Sequence, residues 1–314
     1  MAYSSSVVRK TAKVLVLIAA ALGLALWLLT RTTNFPESEL PAHSADPENG
    51  AAMFHAGACA SCHALEESGD ENPLLLGGGR EIETDFGLFR VPNISPDPET
   101  GIGGWNLAEF VNAMLRGVSP QGRHYYPAFP YSSYTRMKTE DLIDLKAYLD
   151  SLPAVNNTVG GHELHFPWNI RRGIGLWKLR YLDAAAVIDI DETDQALLRG
   201  RYLAEGPAHC GECHTPRDWA GGAETSRWLA GAPNPDGEGR VPNITPHQDG
   251  LGSWSKSDIA YYLKTGLRPD YDTAGGSMVA VQENLAQLPE SDREAIVAYL
   301  KAVPARAKVQ EASE

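Results

Sequence analysis

Two short stretches decide how this chain is organised, Cys59-Ala60-Ser61-Cys62-His63 and Cys210-Gly211-Glu212-Cys213-His214. They contain all four cysteines of the 314 residues, so none is left over for a disulfide framework. Three other landmarks recur in the same order at nearly the same spacing: Val91–Ile94 as Val241–Ile244, Gly101–Trp105 as Gly250–Trp254, and Ala147–Leu149 as Ala298–Leu300. The pattern predicts a domain of about 110 residues that is present twice in tandem.

The Cys-x-x-Cys-His spacing is typical of c-type haem attachment, in which both thiols add to haem vinyl groups and the histidine binds the iron. A zinc ribbon would need its two cysteine pairs about 15–20 residues apart, and here they are 151 apart. A thioredoxin-like redox pair would need a βαβ pattern, which the sequence lacks. We therefore expect two covalently bound haem c groups. The predicted attachment residues and proximal ligands are Cys59, Cys62 and His63 for the first and Cys210, Cys213 and His214 for the second.

Each iron needs a distal ligand. Met278 lies in a glycine-rich segment that we expect to form a loop before the last helix of the second unit, and to supply the iron ligand there. The repeat places Phe129 at the corresponding position of the first unit, and phenylalanine cannot ligate iron. Met137 is then the preferred candidate, although the repeat also aligns it with Leu288 as a packing residue at the start of a helix. His124 is the alternative ligand, and an open iron is the third possibility.

Helix-capping signals occur at matching places in both units, for example Asn106 with Glu109 and Ser255 with Asp258. No alternating strand pattern of useful length is present, so the predicted fold class is all-α, with two tandem cytochrome c-like haem domains after an N-terminal transmembrane helix. The predicted organisation is 1–31 anchor, 32–45 linker, 46–155 first domain, 156–193 connector, 194–305 second domain and 306–314 tail. The connector is expected either to pack between the domains or to dock a partner.

The N-terminus carries a second signal. Residues 1–31 hold four basic residues and no acid, and they include the uncharged run Val14–Leu29. As a helix this run spans about 24 Å, a little less than the ~30 Å hydrocarbon core. It is also longer than a typical signal-peptide core, and no small-x-small cleavage site follows closely. We expect an uncleaved anchor, with a cleaved signal sequence as the first alternative and a buried helix of a soluble protein as the second. The basic flank predicts a single-pass protein of the bacterial inner membrane with its haem domains in the periplasm.

The charge balance excludes one class of partner. The net charge is −13, and the residues after 31 hold 40 acids against 23 bases. Such an acidic body is unsuited to nucleic acid, whose phosphates need Lys and Arg. It favours redox protein partners with basic docking faces.

With these residues in view, the chain resembles the mono- and dihaem class I cytochromes c, above all the membrane-bound cytochrome c subunits of bacterial periplasmic alcohol and gluconate dehydrogenases. The segments that carry the resemblance are Val91–Asp97, Tyr126-Pro127-Ala128-Phe129-Pro130-Tyr131, Cys213–Arg217 and Pro242–Pro246. It implies a few helices around each haem, with Trp105 and Trp254 on the propionate side; their alternative role is core packing. The chain departs from those subunits in two respects. They usually carry three Cys-x-x-Cys-His motifs, and many have methionine where Phe129 stands.

The predicted function is that of a membrane-anchored dihaem cytochrome c in a periplasmic respiratory chain. It would transfer single electrons between a dehydrogenase or quinol-oxidising complex and a terminal acceptor, as a carrier or a subunit of a dehydrogenase or oxidase complex rather than as an enzyme. One alternative is a dihaem oxidoreductase of peroxidase or thiosulfate-oxidising type with a labile first haem site. Another is a structural subunit of a larger complex.

Overall fold

The computed structural model describes residues 5–65, 72–234, 237 and 239–307. It begins with a single long helix, α1 (Ser5–Leu29). Within it, Val7–Leu29 has a mean hydropathy of 2.4 and is long and apolar enough to cross a membrane, a test that an N-terminal signal sequence also passes. These 23 residues span about 34 Å as a helix, so the helix is longer than the apolar run at 14–29 suggests.

The rest of the described chain is mostly helical, as predicted. The first unit contains α2 (Pro47–Ala56), α3 (Cys59–His63), α4 (Leu107–Arg116), α5 (Tyr131–Tyr134) and α6 (Thr139–Asp150). The connector contains α7 (Ile174–Tyr181). The second unit contains α8 (Gln195–Glu205), α9 (Cys210–His214), α10 (Lys256–Thr265), α11 (Met278–Leu285) and α12 (Glu290–Ala302). Short 3-10 turns occur at Glu37–Glu39, Arg171–Gly173 and Thr225–Arg227.

Five short strands among the described residues qualify the all-α prediction. They are β1 (Glu81–Thr84), β2 (Gly87–Arg90), β3 (Glu163–Leu164), β4 (Ala232–Pro233) and β5 (Arg240–Val241). The first two form an antiparallel hairpin in which Glu81 faces Arg90, and β2 also pairs with β3 of the connector. The sequence pattern missed them because no strand exceeds four residues, too few for alternation to be recognised.

The helix ends follow local sequence signals. Asn106 and Glu109 form a capping box at the start of α4, and Ser255 and Asp258 form the same box at α10. In each box a side chain accepts a hydrogen bond from the backbone N–H three residues later, while the acid accepts one from the capping residue. The predicted starts of both helices are confirmed.

In each unit the first and last helices cross at a glycine. Gly50 of α2 lies against α6, where an added Cβ would be 2.1 Å from the backbone oxygen of Asp144. Gly200 of α8 lies against α12, where it would be 1.9 Å from that of Ala295. The two glycines are 150 residues apart, so the crossing repeats with the sequence. It brings two backbones into direct contact and fixes the frame on which the cysteine motifs lie.

A second repeated contact closes each unit. The Asn93 side-chain amide donates to the backbone oxygen of Val155 at 2.7 Å, and that of Asn243 donates to the oxygen of Arg306 at 2.6 Å. The chain that follows the last helix therefore folds back on the Val-Pro-Asn-Ile segment in both units. This contact explains why the asparagine recurs. The domain boundaries given above stay predictions.

Candidate cofactor sites

Each Cys-x-x-Cys-His motif is a one-turn helix that follows a residue in the left-handed conformation. Ala58 (φ 45°) precedes α3, and His209 (φ 37°) precedes α9. The first cysteine of each motif is half-buried and the second is exposed. Since residues three apart lie on the same side of a helix, the two thiols of a motif are placed to reach one edge of a flat ligand.

The histidine of each motif is oriented by the same hydrogen bond. His63 donates from Nδ1 to the backbone oxygen of Pro92, and His214 donates to that of Pro242, both at 2.8 Å. With its proton on Nδ1, each ring leaves Nε2 as the metal-binding atom. Burial lowers the pKa of both rings, which favours the neutral form that a ligand needs. The prolines belong to the recurring Val-Pro-Asn-Ile segment, whose role the sequence did not disclose.

The surroundings of Cys59 and Cys210, the first cysteine of each motif, are suited to the edge of a porphyrin. Burial raises the pKa of the Cys59 thiol to about 12 and that of Cys210 to about 12. Burial on this scale means that both thiols have largely apolar surroundings, which are suited to a hydrophobic macrocycle.

Trp105 and Trp254 are half-buried and immediately precede the capping boxes of α4 and α10. Within the described ranges neither indole N–H has a hydrogen-bond partner. By contrast, Trp177 donates to the Ala220 oxygen and Trp228 donates to the Tyr299 hydroxyl. The N–H groups of Trp105 and Trp254 are thus available to an added acceptor, as a haem propionate would provide.

The backbone supports the equivalence of Phe129 with Met278. An isolated bridge joins Val118 to His124 in the first unit, and another joins Leu267 to Thr273 in the second, 149 residues later in each case. The same offset relates Phe129 to Met278. Met278 is half-buried and is the first residue of α11, rather than part of a loop as expected.

Phe129 lies within a set of aromatic rings in the first unit. Its ring centroid is 5.7 Å from those of Tyr125 and Tyr134 and 6.1 Å from that of Tyr131. Where the second unit has the thioether of Met278, the first unit therefore has the phenyl ring of Phe129, which is surrounded by tyrosines.

Met137 is 6% exposed and lies two residues before the start of α6. Its N–H donates to the Tyr134 oxygen, just as the N–H of Leu288 donates to the Leu285 oxygen before α12. An added Cβ at Gly206 of the second unit would be 3.8 Å from Met137 Cγ. Met137 thus has the position of Leu288 in the repeat, and its assignment as an iron ligand stays a prediction.

His124 is buried beside the end of α1. Its Nε2 donates to the backbone oxygen of Thr30 at 2.9 Å, and the Arg171 side chain donates to the backbone oxygen of His124 at 2.9 Å. Its Nδ1 is buried and has no hydrogen-bond partner in the described part of the chain. The ring is therefore held against the end of α1, and its role as an alternative ligand stays a prediction.

The two cysteine motifs lie at the contact between the units. His209 donates from Nε2 to the backbone oxygen of Gly57 at 3.2 Å, which joins the residues just before Cys59 and Cys210. Glu212, inside the second motif, accepts hydrogen bonds from Ser132 at 3.0 Å and Ser133 at 2.6 Å. Sequence reasoning did not find this contact, although the charged residue inside a motif was visible.

Comparison with known proteins agrees with this geometry. Residues 47–153 match the profile of the cytochrome c family. The chain is 50% identical over 291 residues to a protein named diheme cytochrome c-type from Cereibacter sphaeroides, which covers 93% of this chain and 96% of that relative. This chain belongs to the cytochrome c family.

This cytochrome c is also similar to the cytochrome subunits of two dehydrogenases. It is 38% identical over 271 residues to the fructose dehydrogenase cytochrome subunit of Gluconobacter japonicus, covering 85% of this chain and 54% of that subunit. It is 31% identical over 266 residues to the cytochrome c subunit of the quinone-type alcohol dehydrogenase of Gluconobacter oxydans, covering 79% and 52%. The chain spans about half the length of these two subunits. The resemblance predicted from the motifs is confirmed.

Proposed function

We propose that this cytochrome c is a membrane-anchored dihaem protein that transfers single electrons on the periplasmic side of the bacterial inner membrane. The observation that carries the proposal is the repeated hydrogen bond from a motif histidine to a proline oxygen, which prepares Nε2 of His63 and of His214 as a metal ligand. Haem c, when bound, would supply one-electron iron chemistry. The chain itself would move no substrate atoms.

The residues would divide the binding task as follows. The Cys59/Cys62 and Cys210/Cys213 pairs would hold the two groups covalently, and Trp105 and Trp254 would donate hydrogen bonds to propionates. Met278 would be the distal ligand of the second unit. Met137 is proposed for the first unit, with His124 as the alternative.

The proposed electron donor is a dehydrogenase, because several relatives are named as cytochrome subunits of such enzymes. A quinol-oxidising complex is the alternative donor, and a terminal acceptor or oxidase would receive the electron.

The charge of −13 favours partners with basic docking faces. If so, stopped-flow electron transfer to a basic soluble cytochrome slows as salt is raised. A rate independent of salt would contradict this part of the proposal.

The decisive experiment counts the haems. The chain is matured in a periplasmic host, denatured, separated on a gel, stained for haem and quantified as the pyridine complex. Two haems per chain are expected, and one is expected in each of the double variants Cys59→Ser/Cys62→Ser and Cys210→Ser/Cys213→Ser. Wild-type protein without covalent haem would refute the proposal. The membrane anchor is tested separately by washing the membranes with carbonate, after which the protein is expected to remain in the membrane fraction.

A second function is favoured by one observation, the aromatic surroundings of Phe129 where the second unit has Met278. A first unit without a thioether ligand would suit a dihaem oxidoreductase with a labile site. Electron paramagnetic resonance of the oxidised protein separates the two. Two low-spin signals support the carrier, and one high-spin signal that is unchanged in the Met137→Ala variant supports the oxidoreductase.

A further inference from the structure

The middle of the connector has an unusual surface for this acidic protein. Residues 165–181 contain Arg171, Arg172, Lys178 and Arg180 and no acid, whereas residues 183–194 contain five acids and no base. The basic segment 165–181 also exposes large apolar side chains to solvent. They are Phe166 (78% exposed), Ile170 (53%), Leu176 (44%) and Leu179 (64%).

The same segment holds the end of α1. Arg172 donates from Nε to the Thr30 hydroxyl at 2.9 Å and from Nη2 to the Trp27 oxygen at 2.7 Å, and its guanidinium lies 5.6 Å from the Trp27 ring. Gly175 of α7 lies directly against Thr30. The connector is therefore fixed to the last turn of the helix that would cross the bilayer.

The face of α7 that points away from the protein is amphipathic. Lys178 points inward, where it donates to the backbone oxygens of Arg116 and Gly117 at 2.6 and 2.7 Å. Leu176 and Leu179 are three residues apart and both exposed, so they lie on one side of the helix. Arg180, 73% exposed in its side chain, flanks them.

An exposed tryptophan of the second unit lies beside residues that contact α7. Trp219 is 85% exposed. Its neighbour Ala220 accepts a hydrogen bond from Trp177 of α7 at 3.0 Å, and Gly222 lies against Tyr181. Tryptophan, arginine and aliphatic side chains together are characteristic of the headgroup layer, because each has an apolar body and, for the first two, a polar end.

We propose that residues 165–181 and Trp219 form a membrane-contact surface, which lies in the headgroup layer of the bilayer that holds α1 and binds anionic phospholipid. This rests on the membrane anchoring proposed above. A helix that crosses the bilayer brings its last turn to the interface, and the surface is continuous with that turn. Its exposed basic groups, Arg172 and Arg180, match phospholipid phosphates, whereas the acidic remainder of the chain would be repelled. The surface would hold the two units at a fixed orientation to the membrane.

The test uses the full-length holoprotein in nanodiscs of phosphatidylcholine and phosphatidylglycerol that contain a phospholipid with a photoreactive diazirine near the glycerol. After illumination, labelled peptides are identified by mass spectrometry. We expect label on α1, on residues 165–181 and on the peptide with Trp219. Tyr271, 94% exposed in the second unit, is the control for an exposed aromatic outside the surface.

Two variants and one change of lipid sharpen the result. In Phe166→Ser/Leu179→Ser, label on the connector should fall several-fold while label on α1 stays the same, and Tyr271→Ser should change neither. Replacing phosphatidylglycerol by phosphatidylcholine should reduce connector label, and equal label would refute the anionic preference. Label on α1 with connector label no higher than at Tyr271 would overturn the proposed surface and leave the anchor intact. Protein–protein cross-links in place of lipid label would overturn it in favour of a protein partner, and absence of label on α1 would refute the anchoring itself.

Discussion

Replacing Gly200 by alanine tests the helix crossing on which the second unit is built. The new Cβ would lie 1.9 Å from the Ala295 oxygen, 2.6 Å from its carbonyl carbon and 2.9 Å from Tyr299 Cβ. Since such contacts need at least 3.0 Å, α8 and α12 must separate by about 1 Å. Tyr299, fully buried in the core, would move with α12.

The expected energy follows from two opposing effects. Overpacking a core with one methyl group costs about 1–3 kcal/mol, and alanine regains about 1 kcal/mol over glycine within a helix. The clash is with backbone atoms, which cannot rotate away, so the upper part of the overpacking range applies. We expect Gly200→Ala to lower the free energy of unfolding by about 2 kcal/mol.

The assay is guanidinium denaturation of the purified holoprotein, followed by far-UV circular dichroism. Gly50→Ala, with its Cβ 2.1 Å from the Asp144 oxygen, should behave alike in the first unit. Gly161→Ala is the control, because no atom lies within 4 Å of its added Cβ; a change of less than about 0.5 kcal/mol is expected there. An unfolding midpoint of Gly200→Ala equal to that of wild type would refute the close crossing.

Three further outcomes are expected. Met278→Ala should lower the reduction potential of the haem proposed for the second unit by at least about 59 mV, which is a tenfold change in the one-electron equilibrium. A redox titration without a shift would remove Met278 from the proposed ligand set. Burial lowers the pKa of Lys178 to about 7 from an ordinary 10.5. Between pH 7 and 10 the unfolded chain therefore still holds this proton while the folded protein has released it, so the free energy of unfolding should rise with pH. Lys178→Met should lose that part of the rise, and equal pH slopes of the two proteins in denaturant titrations would contradict the prediction. Glu212→Ala leaves the Ser132 and Ser133 hydroxyls without their acceptor, also removes an ion pair with Arg217, and should cost about 1–3 kcal/mol in the same titrations. Glu224→Ala is the matched control, because it removes a similar pair with Arg227 and no contact between units, and it should cost less than about 0.5 kcal/mol. Equal losses would argue against the contact between units.

Part of the site could be recognised from residue order alone. The Cys-x-x-Cys-His spacing, the duplication and the capping boxes at Asn106 and Ser255 are short-range patterns, because each depends on atoms separated by a few residues. The apolar composition of α1 is also a short-range pattern, because it concerns consecutive residues. Such patterns identified the family and most helices. They missed the strands, which are too short to show alternation, and they did not predict that Met278 begins α11.

The tertiary structure decided the contacts between residues distant in sequence. The hydrogen bond from His63 to Pro92 ends on a backbone oxygen, which every residue type offers, so nothing in the sequence marks it. The close crossing at Gly50 involves a partner 94 residues away. Phe129 corresponds to Met278 at an offset of 149 residues, whereas Met137 corresponds to Leu288 at an offset of 151. Only the folded backbone shows which offset applies at each position. Residue types define local conformation and chemistry, whereas backbone-to-backbone distances are known only once the chain has folded.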